Sequence, residues 1–446
     1  MATPESAALA VPDASARPRA IHPVAYLLMI LPFGASSGYI SVTLGYQLSH
    51  AGADTAAIGA LIALTFVPQS WKFLWAPLTD ATLTRRTWFL IGALITCATF
   101  TTCATIRIDA SALPVLTVLM VAQSAATTLM AMAVEALVVH NTPVDQRGRT
   151  SAWFQAGNLG GNGIGGGVGL WMAQRLPGPW MAGAVLAAAC LLCAVALRWV
   201  AEPRTTIRAP RVATTLLNVL KDLWGVSKSR LGFLALFLCF LPIGSGAASN
   251  LWSAVAKDWR ASADTVALVT GVMGGVVSAV GCLVGGWICD RMDRKVAYVV
   301  YGLLQAGCAV GMAFSPRTEP MYIVWTTLYA LITGLTYAGF TAFVLEAMGE
   351  GAAATKFSLY ASLSNFPIWY MTLIDGKAHT RWGPSGMLYA EAVVGVIGLV
   401  LFLAFLWGVQ RLWPAHWPQR VEELMPATPT GVIAATADPP DLPTRS

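Results

Sequence analysis

Apolar runs long enough to span a membrane recur along almost the whole chain. They fall near residues 23–48, 55–77, 87–106, 113–140, 151–174, 179–200, 231–256, 264–288, 296–314, 320–347, 356–378 and 384–410. A helix of about 20 apolar residues crosses the hydrocarbon layer, so these runs predict 12 transmembrane helices. Most of the charge falls in or near the breaks. Only 11% of the 446 residues are Asp, Glu, Lys or Arg, where a soluble protein carries roughly 25%. Mean hydropathy is +0.62. So little charge cannot cover a water-facing surface, and the lipid bilayer is the expected solvent of an all-α membrane protein.

The breaks carry the remaining information. The net charge of +6 is spread over short loops and forms no stripe or arm, which argues against nucleic acid as a partner. All eight Cys fall inside apolar segments and read as small packing residues. Nothing points to a metal or a cofactor. Residues 1–20 are polar and Ala/Pro-rich, and the run after them is too long for the core of a signal peptide. An amphipathic stretch at 201–230 separates the runs six and six. The expected organisation is a tail (1–22), a six-helix half (23–200), a linker (201–230), a second six-helix half (231–411) and a disordered tail (412–446).

Lys and Arg set the orientation. Of 28 in all, seven (Arg107, Arg175, Lys257, Arg260, Arg317, Lys377 and Arg381) fall in one alternate set of breaks. Lys72 lies within a run, and the others share the side of the two termini. By the positive-inside rule both termini are cytoplasmic, and the expected location is the inner membrane.

The halves repeat. Leu31-Pro32-Phe33-Gly34 returns as Leu241-Pro242-Ile243-Gly244, Ala53-Asp54-Thr55 as Ala263-Asp264-Thr265, and Asp80 as Asp290, all offset by 210 residues. Glu135 and Glu346 pair at 211, and Asn158 and Asn365 at 207. Two six-helix halves in one orientation are parallel repeats about an axis along the membrane normal, the layout of the major facilitator fold, with a solute site near midplane between them.

Two motifs carry a resemblance. Gly286-Trp287-Ile288-Cys289-Asp290-Arg291-Met292-Asp293-Arg294-Lys295 resembles the loop signature of the major facilitator superfamily. Gly286 is expected to admit a close helix approach. Asp290, Arg291 and Arg294 are expected to form ion pairs that break and re-form as the halves rock, with Asp80 as the first-half counterpart. The plain alternative is a basic cytoplasmic loop. The string Lys72-Phe73-Leu74-Trp75-Ala76-Pro77-Leu78 with Asp80 resembles the branch of this superfamily that holds AmpG-type muropeptide permeases and acetyl-coenzyme A transporters. Ser36-Ser37-Gly38, Glu135-Ala136, Pro143 to Gly148 and Ala354 to Leu359 extend the likeness along most of the chain. The resemblance implies solute transport. Its solute stays open, because the first helix has no acid, Glu135 stands where the muropeptide permeases tend to show Asp, and the branch includes siderophore importers.

Ionisable side chains inside a membrane need a reason. Glu135 lies eight residues before Pro143, about 12 Å into its helix at 1.5 Å per residue. A carboxyl at that depth suits reversible protonation, and structural bonding to a neighbouring helix is the alternative. Glu346 holds the symmetric place. Lys72 either snorkels to the surface or pairs with an acid such as Glu135 or with an anionic solute. Gln155, Asn158, Asn250, Asn365, Tyr337, Trp369 and Tyr370 are candidates for lining the solute path, with helix–helix packing as the competing use. Asp375 with Lys377 reads as an outer-rim pair, and Glu391 as a peripheral packing residue. The Gly-rich run Gly157 to Gly169 lies at membrane depth and reads as small-residue helix contact rather than a phosphate loop.

These features favour a secondary transporter over an enzyme. A membrane transferase is disfavoured because no His is expected inside a helix and the membrane acids are few. A sensor would need more than the 35-residue tail. The expected activity is proton-coupled import of a small, anionic or peptide- or sugar-like solute by a monomer. A siderophore or metabolite permease, or an exporter of the same fold, is the alternative.

Overall fold

The computed structural model describes residues 21–142, 147–202, 217, 221, 224, 230–348 and 359–412. No strand occurs among them. Helices follow the apolar runs, and Pro, Gly and capping side chains set their ends. α1 (Val24–His50) carries Pro32 and loosens into a wider-wound stretch over Tyr39–Leu44. Gly52, at φ 86°, turns the chain into α2 (Thr55–Ser70), and Trp71 divides α2 from α3 (Lys72–Ala81). The Thr84 hydroxyl accepts the Thr87 N–H at the start of α4 (Arg85–Thr105). Asp109 caps the turn that leads into α5 (Leu113–Asn141). α6 (Arg147–Gly163) passes through a wider-wound Ile164–Val168 into α7 (Gly169–Arg175), and Pro179 opens α8 (Pro179–Cys193). The later helices are α9 (Arg230–Leu238), α10 (Ala263–Cys289), α11 (Arg294–Phe314, capped by Asp293), α12 (Glu319–Met348) and α13 (Asn365–Leu412). Eight described helical stretches are long and apolar enough to cross a membrane.

Two runs fold differently from expectation. The run 231–256 is not one helix. α9 stops at Leu238, and the chain passes through Pro242, Gly244 (φ 56°) and Gly246 (φ 69°) before the short turns Ala247–Leu251 and Trp252–Val255. Proline offers no N–H and the left-handed glycines cannot continue a right-handed helix. The Tyr298 and Tyr370 hydroxyls donate to the freed Ile243 and Phe240 carbonyls at 3.0 and 2.8 Å. Such a break is tolerated at membrane depth only where side chains or a cavity satisfy the backbone. At the other site, α13 continues past residue 378 and bends at Gly383 (φ 72°), before Pro384. Its two arms fold back on each other, and its longer first arm takes His379 into a helix.

The Gly-rich run packs as expected. A Cβ on Gly161 would sit 2.2 Å from the Leu31 carbonyl oxygen, and one on Gly38 2.0 Å from that of Asn162. Backbone cannot yield as a side chain can. Gly161→Leu is therefore expected to cost at least about 1–3 kcal/mol and to remove monodisperse protein in detergent chromatography. Full recovery of that protein would refute this packing account. In the C-terminal half, α10 meets α12 just as closely: a Cβ on Gly281 would collide with the Leu331 carbonyl oxygen, and one on Gly285 would sit 2.9 Å from Leu335 Cα. Gly286 faces open space. The close approach expected of Gly286 belongs to its neighbours on the face turned to α12. Cys190 and Cys193, spaced as a Cys-x-x-Cys pair, are buried free thiols, and no metal-binding cluster occurs among the described residues.

Glycines bring the halves close along two seams. The first arm of α13 lies on α2, where Gly59 approaches the Thr372 carbonyl and Gly376 that of Thr55, each at 3.0 Å from a built Cβ. The wider-wound stretches Ile164–Val168 and Ala267–Met273 cross at Gly167 and Gly271.

Candidate transport site

The helix break and the wider-wound stretches surround a cavity of about 190 Å³ between the halves. α1 contributes Ser37 and Ser41, α6 Asn162, the turn after the break Ser249, Asn250 and Trp252, α10 Thr270 and Ser278, and α12 Thr326 and Thr333. Its walls are rich in hydroxyl and amide groups, which suits a solute that gives and takes hydrogen bonds. Asn250 Nδ2 donates to Thr372 Oγ1 at 3.1 Å, which ties the break to α13.

A charged pair stands toward one end of the N-terminal half. Lys72 Nζ lies 2.8 and 3.1 Å from the two Glu135 carboxylate oxygens. Their side chains are 17% and 39% exposed, so the pair is reached by solvent rather than sealed. The α2–α3 break at Trp71 places Lys72 opposite α5. Tyr337 of the other half is close enough for the Glu135 charge to act on it. With Asn365 it lines a smaller cavity of about 70 Å³.

The opposite end is closed by bonds between the halves. Arg175 Nη1 and Nη2 donate to the two Asp264 carboxylate oxygens at 2.8 and 2.9 Å. The Thr380 hydroxyl donates to Asp54 Oδ1 at 2.5 Å and accepts the Ala56 N–H at 3.1 Å. Ser49 Oγ donates to the Ala254 carbonyl at 2.5 Å, and Ser253 Oγ donates to that of Ser41. His379 Nε2 and Asp258 Oδ2 lie 2.7 Å apart nearby. Burial holds the Arg317 guanidinium, stacked on Trp259 at 4.2 Å, below its ordinary range.

The other candidates separate. Gln155 and Asn158 contact one another weakly at 3.5 Å, while Asn162, one turn further along α6, lines the main cavity. The Asn365 amide donates to its own chain at Ala361 and Ser362. Trp369 Nε1 is buried without a partner. Around the loop signature, Asp290 and Arg291 are exposed, and Arg291 folds onto its own helix, 3.9 Å over the Trp287 ring. Arg294 reaches the Ala342 carbonyl of α12 at 3.5 Å. Asp80 and Glu346 belong to α3 and α12, and their side chains lie outside the described residues.

Two acids stand elsewhere than expected. Asp375 is not paired with Lys377 at a rim: it is fully buried, while Lys377 is exposed. Glu391 is not peripheral. It is 5% exposed and accepts the Tyr329 hydroxyl at 2.7 Å. Each acid stands eight residues from Gly383, so the bend folds both to one depth, about 12 Å from the turn.

Comparison with known proteins agrees with this geometry. The anhydromuropeptide permease of Escherichia coli strain K12 is 24% identical over 396 residues, covering 85% of this chain and 79% of the permease. A D-xylose–proton symporter has the same fold, with a TM-score of 0.68 at 14% identity over 86% of this chain and 97% of its own. A nucleoside transporter matches with a TM-score of 0.63 at 14% identity, over 86% and 97%. The family model described as Major Facilitator Superfamily matches residues 26–369, so this multi-pass membrane chain, with its cavity between two helical halves, belongs to that family and is a transporter rather than an enzyme.

Proposed function

We propose that the chain is a secondary active transporter that imports a small polar solute together with protons by alternating access. In this reading twelve helices form two parallel six-helix repeats, 23–200 and 231–411, joined by the linker 201–230. Both termini lie in the cytoplasm, by the Lys and Arg distribution, and the chain acts as a monomer in the inner membrane. The observation that carries the reading is the hydroxyl- and amide-rich cavity between the halves, closed at one end by Arg175–Asp264 and Thr380–Asp54. On this orientation that end is the outer one, and the molecule is poised inward. The anhydromuropeptide permease relative supports a sugar–peptide solute, whose hydroxyls and amides match Ser37, Asn162, Asn250 and Thr326.

Glu135 is proposed as the proton-exchanging acid of the N-terminal half, with Glu346 at the symmetric place. Lys72 is the partner that protonation releases. Tyr337 faces this pair, and Gln155, Asn158, Asn365 and Trp369 belong to the path between it and the cavity. Asp80, Gly286, Asp290, Arg291 and Arg294 are assigned to the latch that engages when the halves rock to close the Lys72 end. The Arg291 side chain would leave Trp287 for an acid across the divide. Asp290→Asn and Arg291→Ala are each expected to slow transport severalfold without loss of membrane-inserted protein, and unchanged rates in both would remove the latch role.

Uptake of radiolabelled anhydromuropeptide by proteoliposomes tests the solute. Asn162→Ala and Asn250→Ala are expected to raise the KM about 5- to 10-fold each, the loss of one hydrogen bond of about 1 kcal/mol, with normal protein yield. Uptake no greater than by empty liposomes would sink the sugar–peptide assignment.

A further inference from the structure

We propose that Asp375 and Glu391 form a proton-holding site in the C-terminal half, connected to the solute cavity through Tyr329, Gln305 and Thr333. Its role in coupling rests on the transporter reading; the site itself does not. Asp375 is fully buried, and neither of its carboxylate oxygens has a donor. Glu391 Oε1 accepts the Tyr329 hydroxyl at 2.7 Å, and Glu391 Oε2 has no donor. The two carboxyls adjoin one another.

Among the described residues no cation faces them. α2 presents Gly59 and Thr55 to this arm of α13, α11 presents Gln305, α12 presents Tyr329, and the turn after the helix break presents Trp252. His379, about one helical turn beyond Asp375 toward the closed end, is paired with Asp258 at 2.7 Å. Lys377 is exposed, Arg381 lies over Trp382, and Arg317 donates to Ser385. Two bare carboxylates side by side in a low-dielectric interior repel strongly. One proton between them turns orphaned lone pairs into an O–H···O bond and leaves a single charge for Tyr329 to stabilise. A metal cation needs more ligands, and no set of three acid, His or Cys side chains occurs among the described residues.

The proton has a polar route out. The Gln305 amide stands beside the Tyr329 side chain, and its Nε2 donates to Thr333 Oγ1 at 3.1 Å. Thr333 lines the cavity. Gln305 Oε1 has no donor, which leaves an acceptor open along the path. The pair therefore trades its proton with the compartment the cavity faces, and rocking of the halves changes that compartment.

Infrared difference spectroscopy of the protein in lipid nanodiscs, without solute, tests the site. A carboxylic acid C=O band is expected to vanish on alkalinisation. Asp375→Asn and Glu391→Gln should each remove it, and these neutral isosteres keep the shape while removing the need for a proton. Tyr329→Phe should shift the band without abolishing it. A spectrum of the Asp375→Asn/Glu391→Gln double variant identical to that of the unmodified protein overturns the proposal, and so does loss of the band on adding sodium at constant pH. For the coupling role, Glu391→Gln should reduce gradient-driven uptake of labelled anhydromuropeptide to the level of exchange alone, and unchanged uptake overturns that role. If the unmodified protein moves no anhydromuropeptide, the solute assignment fails while the infrared result still decides the site.

Discussion

Glu135→Gln is expected to abolish uptake against a gradient while passive exchange of solute survives. Both Glu135 oxygens bond to the Lys72 ammonium. A proton arriving at Glu135 removes the charge that holds Lys72, whose side chain is 17% exposed, and the ammonium must find another partner. On the proposal that an anionic solute is imported, its charged group is the partner available, so protonation and solute capture favour one another. Neutral Gln reproduces the protonated acid in shape, and the halves can still rock with solute, but no proton is carried. Lys72→Met removes the charge-assisted bond offered to the solute. Such bonds contribute about 1.5–3 kcal/mol, so apparent affinity should fall roughly 10- to 100-fold. If the pair is structural only, each single variant leaves a lone charge in a half-buried place, and protein yield, exchange and uptake fall together. The Lys72→Met/Glu135→Gln double variant then recovers yield and both activities. On the coupling account gradient-driven uptake stays lost in the double variant. Full gradient-driven uptake by Glu135→Gln would exclude Glu135 and pass the role to Glu346.

The membrane fold was legible because its signal is long-range and redundant: many apolar runs, charges mostly near the breaks, and repeats near one offset. The sequence also offered an acid such as Glu135 as a partner for Lys72, beside snorkelling or contact with an anionic solute. The cavity was much less legible. Its walls are Ser and Thr, which in an apolar run read as ordinary helix residues, and hydrophobic periodicity does not say which face a hydroxyl takes. The signal that would have located it is Gly244-Ser245-Gly246 after Pro242, a helix breaker inside an apolar run. Asn158 stands out in the sequence by its partner Asn365 near the repeat offset, and Asn162 has no such mark. Yet the crossing with α1 turns Asn162 toward the cavity, and that depends on which glycine packs against which carbonyl. Asp375 and Glu391 were misplaced for a related reason. Their depth follows from a bend at Gly383, and a Gly-Pro pair at the end of a run marks a turn without giving the direction of the arm that follows.

Cysteines at Ala56 and Thr380 are expected to stop transport completely when oxidised and to restore it on reduction. In this structure the Ala56 N–H donates to the Thr380 side chain at 3.1 Å, and built Cβ atoms on neighbouring Gly376 and Gly59 touch the facing helix. Two thiols there are within reach of a bond of about 2.05 Å, provided the end is closed. Seven of the eight native cysteines are buried and Cys282 is partly so, which directs a mild oxidant to the introduced pair. A cross-link holds α2 against the first arm of α13 and keeps the Arg175–Asp264 end shut. Both gradient-driven uptake and exchange require that end to open, so both should be lost together, unlike the split expected of Glu135→Gln. Neither single cysteine should respond to oxidant. If the cross-linked protein, verified by mass spectrometry, transports at its reduced rate, this end does not open during the cycle. The solute then enters and leaves by another path, and the bonds between the halves at Asp54, Arg175, Asp264 and Thr380 hold the fold together rather than gate it.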